Sequence, residues 1–248
     1  MTKSRLYVTL LRYTQNPEEV IAQAAKLCYT SASVNELEKH IKDKDQSSFI
    51  EKLIDMGHLS PIEHATFTFG IEGVSRVCSH QIVRHRLASY SQQSQRYVGQ
   101  HGKKGGGFNF IVPPSVEKAG REQWFIEKMM VVQEWYDELV DVLEKNGETS
   151  FEDARFLLPN ATETKIIVTM NARELLHFFR VRCCNRAQWE IRTMAIEMLR
   201  LVKQVSSNIF KDAGPGCVSG KCPEGKMTCG QMDEVRAKFK NLSHFQNR

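Results

Sequence analysis

The sequence predicts an α+β fold with a mixed or antiparallel sheet. Two observations carry this: strand-like stretches of alternating polarity occur near residues 5, 64 and 164, and the helical stretches between them follow no strand–helix–strand rhythm. A chain of 248 residues, 41% hydrophobic and 25% charged, is long enough for a sizeable core in one large domain or two small ones.

Residues 5–12 read as a first or edge strand. Residues 17–28 read as a helix capped by Asn16, with Pro17 at its first position. Helices are expected over 34–42 and over 46–57, the second opened by Asp45 and closed near Gly57. HATFTFGIE alternates as a strand does, and 75–85 reads as a helix. HGKKGGGFNF, 101–110, is too rich in glycine for a regular element and is expected to be a mobile loop, a candidate lid. One long helix is expected over 115–145, its buried stripe including Trp124, Met129, Val132, Trp135, Leu139 and Val142. Ser150 with Asp153 opens a short helix that Pro159 ends. TKIIVTMNA is a strand, ARELLHFFRVRC a helix leaving it, and 187–210 is helical. A single α+β domain over 1–210 would carry the chemistry, with a Cys- and Gly-containing tail over 211–248.

No apolar run approaches the roughly 20 residues of a membrane span, and MTKSRLYVTLLRY lacks the core of a secretory signal. The seven cysteines, two of them adjacent, do not form an extracellular disulfide framework. A cytoplasmic protein without membrane partners is expected. The net charge of +5 is modest, but its placement is informative. No acidic residue lies between Glu72 and Glu117, where Arg76, Arg84, Arg86, Arg96, Lys103 and Lys104 fall. Such a stretch expects an anionic partner.

The densest constellation is RHRLASYSQQSQRY, Arg84 to Tyr97. Guanidinium forks grip phosphate oxygens bidentately, and Ser89 and Ser94 add hydroxyl donors. Leu87, Tyr90 and Tyr97 suit packing against a planar ring. The residues therefore suggest a site for phosphorylated, ring-bearing molecules, against the plainer reading of a solvated basic turn.

R-H-R-x-x-S-x-x-x-x-S-x-R, complete here as Arg84, His85, Arg86, Ser89, Ser94 and Arg96, resembles the signature of the flavin-dependent thymidylate synthases. GHLSPIEHATFTF (57–69), ARFLLP (154–159), NARELLHFFRVR (171–182) and AQWEIR (187–192) are similar to further segments of that family, in order. The resemblance implies reductive methylation of dUMP to dTMP, with FAD as hydride carrier, NADPH as reductant and 5,10-methylenetetrahydrofolate as carbon donor. It implies FAD contacts from His58, Ser60, Glu63, Arg84, His85, Arg86, Asn171, Arg173 and His177. It implies dUMP contacts from Gln81, Gln92, Ser94, Arg96, Arg155 and Arg182, with Arg96 and Arg155 on the phosphate. Arg182, against the uracil ring, and Ser94 are the catalytic candidates, and a homotetramer with shared active sites is implied. Where some relatives carry Asn-Glu this chain has Ser91-Gln92, so no carboxylate acts there.

The cysteines are not expected to be central. Cys78, near Arg76 and His80, is more simply a buried structural thiol, and Ser94 has no neighbouring base that would make it a nucleophile. Cys217, Cys222 and Cys229 suggest a metal knuckle, but four ligands are wanted and the fourth would have to be His244 or another chain. Their spacing fits no metal pattern closely, so a flexible reduced tail without metal is expected. The competing readings are a nucleic-acid-binding module, a flavin reductase without dUMP, and a noncatalytic subunit. The absence of a nucleic-acid motif, Arg96 with Arg155 and Arg182, and the intact signature argue against each in turn.

Overall fold

The computed structural model of the chain describes residues 1–145 and 150–242. In order, they form β1 (Tyr7–Tyr13), α1 (Pro17–Leu27), α2 (Val34–Ile41), α3 (Ser47–Asp55), a 3-10 turn at Pro61–His64, and β2 (Thr66–Ser75). There follow α4 (Arg76–Ile82), β3 (Ala88–Gln92), α5 (Gly102–Gly105), α6 (Pro114–Lys118), α7 (Glu122–Lys145), α8 (Ser150–Ala154) and a 3-10 turn at Arg155–Leu157. The chain ends through β4 (Glu163–Asn171), α9 (Ala172–Arg182), α10 (Trp189–Val205), a 3-10 turn at Gly225–Met227 and α11 (Met232–Lys240).

The strands form one four-stranded sheet in the order β1-β2-β4-β3. Thr68 meets Thr169 side chain to side chain at 2.9 Å, while Gly73 N donates to the Glu163 carboxylate at 3.1 Å. Numbers rise along β2 as they fall along β4, so the pair is antiparallel. The expected α+β class with an antiparallel sheet is what forms. Among the described residues no helix is long and apolar enough to cross a membrane.

The chain divides into two compact units. Unit one comprises Met1–Tyr7, Ile71–Arg84 and Tyr90–Ile167; unit two comprises Val8–Gly70, His85–Ser89 and Val168–Arg248. In unit one, Phe108, Phe110, Val112 and Met129 form one buried cluster, and Tyr136, Val140 and Ala154 another. In unit two, Phe67, Phe178, Phe179 and Phe210 meet edge to face in a chain of contacts of 5.4–5.9 Å. The face of α10 that is buried there repeats at three- and four-residue steps: Ile191, Met194, Ala195, Met198, Leu199 and Val202. Burial of each large side chain contributes about 1.5–3 kcal/mol, which holds α10 more firmly than helix propensity could.

Several local expectations are corrected. Asn16 precedes α1 in a left-handed conformation and makes no side-chain cap. Asp45 does accept from Ser47 N at 2.9 Å, although Gln46 occupies the cap position of α3. The expected helix over 115–145 is two helices, because Gly120 at φ 65 turns the chain between α6 and α7. Along α7 the buried positions are Met129, Gln133, Tyr136 and Val140, whereas Trp124, Trp135 and Val142 are exposed. The 101–110 segment contains one helical turn and is pinned to α7. There Gly102 N donates to Asp137, Phe108 N donates to Gln133 Oε1, and Gln133 Nε2 donates back to the Gln100 carbonyl. The helix expected over 187–210 stops at Val205, the tail holds α11, and β3 was not foreseen.

Candidate active site

In unit two the sequence motif becomes a buried polar chain. α9 leaves β4 without a linker, and Asn171, the last residue of the strand, caps it: Oδ1 accepts from Glu174 N at 2.8 Å. That junction sets the phase of the helix, so Glu174, Phe178 and Phe179 face inward while Arg173 and His177 are exposed. Glu174 Oε1 lies 3.2 Å from His85 Nδ1, and both side chains are 7% exposed. On the other side of the ring, Arg182 Nε donates to His85 Nε2 at 2.9 Å. Phe178 packs edge-on against the imidazole at 4.9 Å, and the His177 ring lies 5.9 Å away. Burial, and then the charges of Arg182 and His177, push the His85 pKa down to about 4, so the ring is neutral near pH 7. Burial holds the Glu174 carboxyl above its usual range. The Glu174–His85 contact is therefore a hydrogen bond to a neutral ring rather than an ion pair.

Around this chain are polar groups that face solvent. Arg173 pairs with Glu63 at 2.5 Å, both half-exposed. α3 ends in a Schellman turn: Gly57 N donates to the Ile54 carbonyl and His58 N to the Leu53 carbonyl, with Gly57 at φ 71. A left-handed residue at Gly57 thus delivers His58, exposed, into the approach to Ser60, also exposed, and the Pro61–His64 turn. Arg86 and Leu87 are exposed, and Arg86 forms no ion pair among the described residues. Two cavities of about 510 and 550 Å³ within unit two are lined by other residues, and of the expected set only His58 reaches either.

In unit one two of the expected dUMP residues, Arg96 and Arg155, meet at Glu152. Its carboxylate takes Arg96 Nη2 at 2.8 Å, and its backbone carbonyl takes Arg155 Nε at 3.0 Å. Arg76 faces Arg155 closely enough that its guanidinium, lowered first by burial, is lowered further by that like charge. The Glu152 carboxylate balances Arg96, whereas Arg155 and Arg76 face each other as like charges, a surplus of positive charge that suits a phosphate. Ser94 Oγ accepts from Arg96 N at 3.2 Å, and Gln92 Nε2 donates to Thr164 at 3.0 Å, tying the end of β3 to β4. Gln81 is half-buried on α4, and Arg84 is exposed in the turn after it, with no ion pair among the described residues. Tyr97 and Phe156 are exposed beside Arg96 and Arg155. Cys78, considered as a thiol nucleophile, is wholly buried.

The sequence reading missed Glu174, Glu152 and the like-charge role of Arg76. Glu174 carried one readable signal, a single acid set among the apolar residues of a helix beginning at the strand end. Glu152 had none, because its meaning depends on Arg96, brought to it by folding from 56 positions away.

The family described as thymidylate synthase complementing protein matches residues 9–206. The flavin-dependent thymidylate synthase of Geobacter sulfurreducens is 55% identical over 237 residues, covering 95% of this chain and 99% of that protein. The flavin-dependent thymidylate synthase of Clostridium tetani is 51% identical over 241 residues, covering 92% and 95%. Among solved structures, a UMP/dUMP methylase PolB from Streptomyces cacaoi, bound with 5-Br dUMP, superposes with a TM-score of 0.68. It covers 85% of this chain and 95% of its own at 21% identity, a likeness of fold.

Proposed function

This chain belongs to the flavin-dependent thymidylate synthase family, and on that premise we propose how its own residues carry out the reductive methylation of dUMP to dTMP. The reading rests above all on the buried chain from Glu174 through neutral His85 to Arg182. It aims a guanidinium of fixed orientation outward from α9.

The FAD that this family uses supplies hydride-transfer chemistry when bound, and the residues present suit it. Exposed Arg84 and Arg86, without ion pairs among the described residues, offer forks for its diphosphate. His58, Ser60, Glu63, Asn171, Arg173 and His177 offer further donors and acceptors, with the Glu63–Arg173 pair holding both side chains in place. Asn171 gives its oxygen to the α9 cap, so its amide nitrogen is the group left for the ligand. His85 acts through Arg182 as well as beside the flavin.

Arg182 is assigned the uracil ring. Negative charge that develops on the pyrimidine during attack from C5 is stabilised by a preoriented cation, an electrostatic role that needs no covalent adduct to the protein. Arg96 and Arg155 take the phosphate, Arg76 adds to their field, and Glu152 keeps two of the guanidiniums apart and aligned. Ser94 and Gln92 complete the dUMP contacts, and Gln81 lies on the same unit. Methylenetetrahydrofolate as carbon donor and NADPH as reductant complete the reaction, which takes place in the cytoplasm.

We also assign the chain to a homotetramer with shared active sites. Trp124, Trp135 and Val142 recur on one exposed side of α7 and present an apolar stripe suited to another copy.

The test is product formation: dTMP appears from dUMP only when FAD, NADPH and methylenetetrahydrofolate are all supplied. Formation without FAD, or none with all four, defeats the proposal.

A further inference from the structure

Four thiols gather in unit two at a place the methylation chemistry does not use. Cys184 follows the end of α9, while Cys217, Cys222 and Cys229 lie on the segment joining α10 to α11. All four line a single small cavity, which Arg180 and Asn185 also border. The sequence offered three of these cysteines and left the fourth ligand to His244, which lies outside the described residues, or to another chain. Folding supplies Cys184 instead.

The surroundings fit a bound cation. Between α10 and α11 the chain forms one 3-10 turn, and from Ser219 to Gln231 every residue is exposed except Cys222. A stretch that buries little but a thiol has no apolar contacts to offset its ordering, and a metal staple is the usual substitute. Cys222, Cys184 and Cys229 all lie close enough to Cys217 to act on its thiol, so the four sulfurs are mutual neighbours. Asn185 Nδ2 lies 3.9 Å from Cys229 Sγ, as amides do toward metal-bound sulfur. Arg236 donates to the Cys217 and Gly220 carbonyls, which with Arg180 places two cations where four thiolates around a dication would leave surplus negative charge.

We propose that Cys184, Cys217, Cys222 and Cys229 form a closed tetrathiolate site for one structural Zn²⁺ that ties the segment before α11 to the end of α9. Soft thiolates in tetrahedral array select zinc or iron–sulfur centres, and a cavity of about 20 Å³ has room for one ion and not for a cluster. Binding releases the thiol protons to solvent, forms four Zn–S bonds and changes no oxidation state. Among the described residues no group of three or more His, Cys, Asp or Glu is placed so that it could hold a metal ion as it stands. Closure requires rotation about the Cα–Cβ bonds and an inward shift of the Cys222 and Cys229 turns, the irregular and exposed part of the segment.

The experiment is elemental analysis of the purified full chain, with Cys222→Ser and Cys229→Ser compared against Cys28→Ser, which changes an exposed cysteine outside the cluster. The expected result is about one zinc per chain in the wild type and in Cys28→Ser, with loss of most of it in the other two. Should those two fail to fold, a mercurial thiol reagent added to the wild-type chain must release the same equivalent of zinc to a chromogenic chelator. Absence of zinc, iron in its place, zinc retained by both cluster variants, or a mass two or four hydrogens light from disulfide formation overturns the site. None of these results bears on dTMP formation, so the two readings fail separately.

Discussion

Arg182 donates its Nε–H to His85 Nε2 at 2.9 Å, though the two residues stand 97 positions apart. An arginine Nε always carries its proton, so the lone pair is on Nε2 and the imidazole proton on Nδ1, facing Glu174. Glu174 is thereby a positioning residue for the guanidinium. Glu174→Leu removes the carboxylate acceptor from the buried Nδ1–H, a loss of about 1–3 kcal/mol. Its kcat is expected to fall roughly five- to hundredfold, with KM for dUMP little changed. Glu174→Gln keeps the acceptor and should recover most of the rate. Steady-state kinetics of both variants decide, and equal rates for wild type and Glu174→Leu would remove the role.

His85 also makes stability depend on pH. Its folded pKa of about 4 lies below the ordinary 6.5, so the folded state binds fewer protons than the unfolded. The contribution is complete above about pH 6.5 and is lost as pH falls toward 4, on the order of 3 kcal/mol in all. Glu174, shifted upward, acts in the opposite sense and offsets part of that loss. Urea unfolding between pH 7 and 4.5 should show a steeper decline for the wild type than for His85→Gln. Parallel curves would contradict the assignment.

The arginines around Glu152 should affect binding more than turnover. Arg155→Ala removes a charged donor worth about 1.5–3 kcal/mol, so KM for dUMP should rise roughly tenfold or more while kcat changes less. The preference for dUMP over deoxyuridine should narrow by the same factor. A preference that survives intact places the phosphate elsewhere.

Two glycines separate backbone strain from crowding. At Gly120 a Cβ meets nothing within 4 Å, so Gly120→Ala carries only the cost of a left-handed backbone at φ 65, about 1 kcal/mol or a Tm lower by roughly 2–4 °C. At Gly73, with φ 69, a Cβ would stand 1.8 Å from the Arg5 carbonyl oxygen, so the backbone itself must move. Thermal melts should show Gly73→Ala far below Gly120→Ala, and similar melting temperatures would disprove the distinction.

What the sequence disclosed follows from the range of each signal. The helix α10 and the strand-to-helix junction at Asn171 were legible, because helical spacing and the change from one pattern to the other are local. β3 was not, since Ala88–Gln92 is a polar edge strand without alternating apolar residues. The break at Gly120 was hidden because one glycine barely disturbs a hydrophobic pattern that resumes two residues later. Periodicity found a stripe on α7 but could not tell a stripe that packs inside from one left exposed, as Trp124 and Trp135 are. The motif residues Arg84 to Arg96 were visible as a cluster of types, whereas the partnerships of His85 with Glu174 and Arg182 exist only once α9 is folded beside it.

The most direct test is the Arg182→Ala variant, assayed for dTMP formation and for bound flavin in the same preparation. The account predicts a flavin absorbance spectrum like that of the wild type and no measurable dTMP. Turnover unchanged from the wild type would contradict it.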